Sequence, residues 1–206
     1  MFADAFEKLD RLESEAVLEQ VNPLLSDGGF NPGSRNVVVL AHELSFYPGY
    51  QLLDMADHDS MPALRKYVLY KKNEDAELID WTSSPIYRVN GKAPIALNEN
   101  TVKDYVRLFL KYVRGPNGRF LLAETLEDIR WREEPPPAAT KALGKLISPL
   151  EVIELDNRQF RLKAQIMFRD TLFDASINVD HEGTVKIDDQ EVLVDDMPVM
   201  DDTFGQ

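Results

Sequence analysis

The side chains best suited to acid–base chemistry are His42 and Glu43, which follow the apolar run 37–41. An imidazole and a carboxylate at the end of a buried strand could exchange protons with a substrate if both side chains reach it. Asp54 or His58 would supply a further acid or base. These residues define one hypothesis, an enzyme whose cleft is built from strand ends.

A second hypothesis places a divalent metal ion in the segment 54–59. Carboxylate oxygens and an imidazole nitrogen are suitable ligands for such an ion. The order of these residues matches neither a calcium-binding loop nor a zinc site, and it is equally typical of a polar loop with Asx turns. The sequence favours the polar loop, so we expect neither a metal site nor a cofactor. The metal-ligand candidates are Asp54, Asp57, His58 and Asp59.

Composition and motifs exclude several other activities. The chain has no cysteine, which rules out a thiol nucleophile, a disulfide scaffold and cysteine-ligated metals. The glycine-rich loop 28–34 differs from a phosphate-binding loop, because Ser34-Arg35 stands where that loop has lysine followed by serine or threonine. The net charge of −13 disfavours nucleic acid and anionic membranes. We therefore expect neither of them as a partner.

The largest charge asymmetry lies in an acidic tail segment, residues 188–206. No basic residue follows Lys186, whereas this segment contains seven aspartates and glutamates. A solvated end is the commoner explanation for such a composition, but apolar residues within it would also anchor a basic protein. The candidate binding residues are Val192, Val194, Asp195, Asp196 and Met197.

The elements that must position these residues indicate an α+β fold, because strand patterns cluster before and after one strong helix. Apolar residues at three- and four-residue steps predict an amino-terminal helix from Phe2 to Val21. Asn90-Gly91 predicts a hairpin turn. Strands are predicted in the first half at 37–40, 50–55, 67–70 and 78–82.

One long buried helix is predicted at about 99–114, with Asn98 as its N-cap and Gly115-Pro116 as its end. Phe109 lies in the middle of its apolar stripe. Leu108 and Tyr112 add apolar surface outside that stripe, so we expect the helix to be covered on more than one side.

Alternating polar and apolar residues after this helix predict antiparallel strands that end in a carboxy-terminal β-meander. Within 160–168, Arg161, Lys163, Gln165 and Met167 share one face, which we expect to be largely wet. The proline-rich stretch 132–137 is a possible subdivision, but we expect one domain over residues 1–206.

Part of the chain resembles a family of uncharacterised bacterial proteins over roughly residues 77–125. The resemblance is carried by Asp80-Trp81-Thr82-Ser83-Ser84-Pro85-Ile86, then Pro94-Ile95-Ala96-Leu97-Asn98-Glu99-Asn100, and the helix before Phe120-Leu121-Leu122. It implies a bacterial, cytoplasmic origin and transfers no activity and no site residue.

The amino-terminal residues contain many acids and no long apolar stretch, which is incompatible with a secretory signal. We therefore expect a cytoplasmic protein. Since no catalytic signature occurs, the sequence favours a non-catalytic interaction or ligand-binding protein over an enzyme. Its partner would be a basic protein or a small ligand.

Overall fold

The computed structural model describes residues 6–26, 29–155 and 159–200. Within them the chain forms four α-helices and two antiparallel five-stranded sheets, the α+β class that the sequence predicts. The chain divides into two compact units. The first comprises the chain up to Asp80 together with Ser84–Pro94, and the second comprises Trp81–Ser83 and the chain from Ile95 onward. The proline-rich stretch 132–137 lies within the second unit.

The sheet of the first unit is a meander in which each strand pairs with its neighbours in the sequence. One face packs against the first helix in a core that includes Val17, Leu18, Val39, Leu53 and Met55. The predicted strands 37–40, 50–55 and 67–70 are confirmed, but the strand predicted at 78–82 ends at Leu78. The five strands are β1 (Glu7–Lys8), β2 (Val37–Glu43), β3 (Gln51–Asp57), β4 (Leu64–Lys71) and β5 (Asp75–Leu78).

The first helix, α1 (Arg11–Val21), begins later than the sequence predicts, because Glu7–Lys8 are a strand. The Asp10 side chain accepts a hydrogen bond of 2.9 Å from the backbone N–H of Glu13. Glu13 in return accepts one of 3.1 Å from the backbone N–H of Asp10. This capping box fixes the start of the helix. Phe2, which the prediction included, lies outside the described residues.

The hairpin predicted at Asn90-Gly91 is wrong, since these residues end a helix, α2 (Ser84–Lys92). Pro85 lies in the first turn of α2, where a proline costs no helical hydrogen bond. Ile86 and Val89, three residues apart, are both buried. The helix start and the buried face therefore outweigh the turn preference of the asparagine–glycine pair.

The long buried helix is present as α3 (Thr101–Tyr112). The N-cap is Asn100 and not the predicted Asn98. The Asn98 side-chain oxygen instead accepts hydrogen bonds from the backbone N–H groups of Asn100 (2.9 Å) and Thr101 (3.1 Å) and so stabilises the turn that leads into the helix. No described helix is both long and apolar enough to span a membrane.

The buried surface of α3 differs in detail from the predicted stripe. Leu108 and Tyr112 are 0% and 1% exposed, so the helix is covered on more than one side, as expected. Phe109 is only partly buried, although it lies between these residues in the sequence. Leu108 and Tyr112 are therefore more deeply buried than Phe109, the residue at the middle of the predicted apolar stripe.

The strands of the second unit are β6 (Leu121–Leu122), β7 (Glu151–Leu155), β8 (Gln159–Phe168), β9 (Thr171–Asp180) and β10 (Val185–Val194). Their sheet contains the predicted carboxy-terminal meander β8-β9-β10. β6 and β7 both pair with β8, at different parts of its length. A fourth helix, α4 (Pro137–Leu143), follows β6.

The polar face of this sheet is less wet than the alternation predicts. Arg161 and Lys163 retain exposure, but Gln165 and Met167 are only 3% and 4% exposed. Met167 packs in a small cluster of residues from the segments that follow β6 and β10. The polar face is therefore buried at one end and open at the other.

Candidate functional site

The structure does not bring His42 and Glu43 to one site. They are successive residues of β2, so their side chains point to opposite faces of the sheet. The His42 ring lies 5.6 Å from the ring of Phe6. His42 pairs with Leu52, whereas His58 lies six residues farther along the next strand, which corresponds to roughly 20 Å. The two imidazoles cannot act on one substrate together.

Asp54 and His58 line the same small hollow of about 140 Å³. Asp54 is 7% exposed, and both of its carboxylate oxygens are taken by Arg65. The Arg65 Nε atom donates to Asp54 Oδ1 at 2.7 Å, and Nη2 donates to Oδ2. A carboxylate bound by both arms of a guanidinium is poorly placed to accept a substrate proton or to ligate a metal.

The remaining metal candidates have local partners. The Asp57 side chain accepts a hydrogen bond of 2.9 Å from the backbone N–H of Asp59, which is the Asx turn of a polar loop. Asp59 accepts hydrogen bonds from the side chains of Ser34 and Asn36, which lower its pKa, Asn36 more strongly. Within residues 6–26, 29–155 and 159–200, no three acidic or histidine side chains are grouped as metal ligands would be.

The acidic segment is largely built into the second unit. Residues 188–194 belong to β10, and residues 201–206 lie outside the described residues. Met197 is 5% exposed, and its backbone N–H donates to the Asp170 carbonyl at 2.9 Å. Met197 belongs to the small apolar cluster around Met167, and Val194 packs against that cluster. Met197 is therefore an internal packing residue and is not available as an anchor for a partner.

The other candidates of this segment remain at the surface. Val192 is 55% exposed, and both Asp195 and Asp196 are exposed. The Thr171 hydroxyl donates to Asp195 at 2.6 Å and, together with the Asp196 backbone, lowers the pKa of Asp195. Asp195 therefore stays charged at neutral pH and adds to the negative potential around β10.

A concave trough of about 380 Å³ lies on the open part of the polar face and spans from β7 to β10. We call it the polar trough. It combines three carboxylates, one ammonium group, one hydroxyl group and one large apolar side chain. They belong to Ile153 of β7, Lys163 of β8, Asp174 and Ser176 of β9, and Asp189 and Glu191 of β10.

Irregularities in both edge strands shape the polar trough. In β10, Ile187 pairs with Ile177 and Gln190 with Ala175, so both Asp188 and Asp189 stand opposite Ser176 alone. In β7, a register shift occurs between Val152 and Glu154, at Ile153. A β-bulge redirects the side chain of the extra residue. Ile153 and Asp189 reach the trough because of these bulges.

Asp174 is the most firmly held side chain of the polar trough. Gln165, which is 3% exposed, donates to Asp174 Oδ1 at 3.0 Å. The backbone N–H and the hydroxyl of Ser148 both donate to the Gln165 side-chain oxygen, at 3.0 and 2.9 Å. The Lys163 Nζ atom lies 3.0 Å from Asp174 Oδ2. A buried amide therefore fixes the carboxylate, while a half-exposed ammonium covers its other oxygen.

No family model, no curated protein and no solved structure matches this chain. The candidate site is therefore defined by its geometry and charges. Sequence reasoning placed Lys163 and Gln165 on the polar face but missed Asp174, Asp189 and Glu191 as neighbours. Alternation within a strand was the available signal. The register between strands and the two bulges bring the carboxylates together, and neither has a local sequence signature.

Proposed function

We propose that this protein is a non-catalytic binding protein and that the polar trough holds an extended, basic segment of a partner protein. The observation that carries the proposal is the composition of the trough. Asp174, Asp189 and Glu191 provide three negative charges. Lys163 offsets one of them, and Arg161, which lies beside the trough, pairs with Asp189 at 3.1 Å, so the trough keeps a net negative charge. Ile153, which is 50% exposed, provides apolar surface for the aliphatic part of a basic side chain.

The edge strand β10 supports the same proposal. Residues 188–192 are all exposed, although alternate residues of a strand normally turn into the core. Within the described residues, β10 pairs only with β9, so it is an edge strand of the kind that an extended segment can join. Charges and bulges on an edge oppose pairing with another acidic chain. They therefore favour a partner of opposite charge over a second copy of this chain.

Catalysis is not part of the proposal, because the acid–base candidates are separated or occupied by local partners. We place the binding in the cytoplasm, since a chain without cysteine suits a reducing compartment.

The test is a fluorescence-anisotropy titration of the full chain with a labelled octapeptide of alternating lysine and valine. An octapeptide of alternating glutamate and valine is the comparison ligand. We expect the lysine peptide to bind and the glutamate peptide not to bind, with affinity that falls as salt is raised. Failure of the lysine peptide to bind at millimolar concentration and low salt would contradict the proposal.

A matched pair of double variants separates the polar trough from the general charge of the protein. Asp189→Asn with Glu191→Gln removes two charges from the trough and is expected to weaken binding about tenfold. Glu99→Gln with Glu133→Gln removes two exposed charges elsewhere in the same unit and should change affinity by less than about twofold. Equal losses for the two double variants would show that binding is not located in the trough.

A further inference from the structure

We infer that Asp174 determines the specificity of the polar trough by receiving a side-chain cation of the bound segment, and that Lys163 occupies this place until the segment binds. The inference rests on the proposed function. It adds which carboxylate recognises the ligand and which residue of the chain competes with it.

The positioning of Asp174 supports this role. Its Oδ1 atom is held at 3.0 Å by Gln165, and Gln165 is held by two hydrogen bonds from Ser148. The amide is 3% exposed and has little freedom to turn. Asp174 itself is 27% exposed, so its second oxygen faces the trough. A carboxylate fixed in this way loses little conformational entropy when it binds a cation.

The charges around Asp174 favour a cation beyond the one that the chain supplies. Asp174 pairs directly with Glu191 in the register of β9 and β10. Like charges on directly opposite residues of an antiparallel sheet repel each other. Lys163 contacts Asp174 only diagonally, because its own pairing partner on β9 is Ser176. One ammonium group therefore faces two opposed carboxylates, whereas the nearby Asp189 carboxylate has its own cation in Arg161.

Lys163 is suited to being displaced. Its side chain is 48% exposed, so it can move into solvent when another cation takes its place. Exposed ion pairs of this kind contribute little to stability, so exchanging one cation for another costs little. Arg161, the neighbouring cation of the same face, is instead bound to both Ser176 and Asp189.

The test uses the lysine–valine octapeptide and single variants of the full chain. Asp174→Asn keeps the acceptor for Gln165 and is expected to weaken binding about tenfold or more. Lys163→Met removes the competing cation and should tighten binding about three- to tenfold. A gain in affinity is a readout that a merely structural role of Lys163 would not produce. In the Asp174→Asn background, Lys163→Met should tighten binding less, because its gain depends on the carboxylate.

Lys145→Met is the matched control, since Lys145 is an exposed lysine of the same unit outside the trough. If it tightens binding as much as Lys163→Met, the gain reflects net charge and the inference is overturned. If Lys163→Met weakens binding, or Asp174→Asn leaves affinity within twofold, it is overturned as well. The proposed function would still hold after those results if Asp189→Asn with Glu191→Gln weakens binding. If the wild-type protein does not bind the lysine–valine octapeptide, the proposed function and this inference are both overturned.

Discussion

Replacing Glu124 by glutamine is expected to destabilise the second unit by about 2–3 kcal/mol at neutral pH. Both Glu124 oxygens accept hydrogen bonds from Arg107, at 2.7 and 2.9 Å, and one also accepts the backbone N–H of Leu150 at 3.0 Å. The two side chains are only 11% and 22% exposed. Glutamine has nearly the same shape, so the substitution removes the charge and leaves the packing in place.

The magnitude follows from these contacts. Glutamine keeps one acceptor oxygen and replaces the other by an NH2 donor, so one Arg107 bond is weakened and the other is lost. A hydrogen bond to a charged group contributes about 1.5–3 kcal/mol and a neutral one about 0.5–1.5 kcal/mol, so the two changes together give about 2–3 kcal/mol. Breaking a fully buried ion pair costs about 3–5 kcal/mol. The expected loss lies below that range because Arg107 also donates to Asp104 at 2.8 Å and is partly solvated.

The loss should depend on pH in a defined direction. Burial alone would raise the pKa of Glu124, but the hydrogen bonds from Arg107 and Leu150 and the Arg107 charge lower it below its usual value. Because the pKa is lower in the folded than in the unfolded protein, the ionised carboxylate stabilises the fold at every pH above the unfolded pKa of about 4.3. This stabilisation is lost as the pH falls below that value toward the folded pKa. The gap between wild type and Glu124→Gln should therefore be constant from pH 7 to about 5 and shrink below about pH 4.

Urea unfolding followed by tryptophan fluorescence measures this gap, because both tryptophans, Trp81 and Trp131, belong to the second unit. A loss of about 2–3 kcal/mol corresponds to a midpoint lower by roughly 1–2 M urea. Glu133→Gln, the same change at an exposed residue, should leave the midpoint almost unchanged. A gap that is absent at pH 7, or undiminished at pH 3, would refute the ion-pair reasoning.

Three further substitutions test other parts of the fold. Leu108→Ala should cost about 2–5 kcal/mol, and more than Phe109→Ala, because Leu108 is fully buried and Phe109 is not; the reverse order in urea titrations would contradict the described burial of α3. Asp10→Ala should cost about 1 kcal/mol through loss of the α1 cap, with Asp10→Asn restoring most of it in circular-dichroism melts; equal losses would show that capping is not the cause. Burial, together with the charge and hydrogen bond of Asp75, raises the pKa of Tyr50 to about 12. Because the pKa of Tyr50 in an unfolded chain is about 10, the phenol ionises more easily in the unfolded than in the folded protein. The free energy of unfolding should therefore fall as the pH rises from about 10 to about 12. Tyr50→Phe should reduce that loss in urea titrations followed by circular dichroism, and an unchanged loss would count against the assignment.

Elements that depend on local signals were predicted well. Asn98 and Gly115-Pro116 bracket the long helix in the sequence, and strict alternation marks β8, so both elements follow from nearby residues. Asn90-Gly91 misled the prediction because its turn preference competes with a helix start at Pro85, and burial of one face decided between them. The burial of Phe109 was also mispredicted, because the spacing of apolar residues along a helix does not specify which neighbouring elements pack against it.

The candidate site depended on information between strands. The sequence places Lys163 on a polar face, but only the register sets Asp174 opposite Glu191 and beside Lys163. The tail residues were selected for their composition, and Met197 proved to be an internal residue because its segment packs onto the sheet. Composition therefore located the acidic region, while the pairing of strands determined which of its residues face a ligand.

The path of the chain between the two units has a consequence for how the protein can be divided. Trp81–Ser83 belong to the second unit, but the chain returns to the first for Ser84–Pro94 before leaving it again. A fragment ending at Asp80 would lack α2, whose Arg88 and Lys92 form ion pairs with Glu77 of β5. A fragment starting at Ile95 would lack Trp81, over whose ring the Arg114 guanidinium lies at 3.9 Å. No single cut releases both units whole, so during synthesis the first unit is complete only after a piece of the second has already emerged.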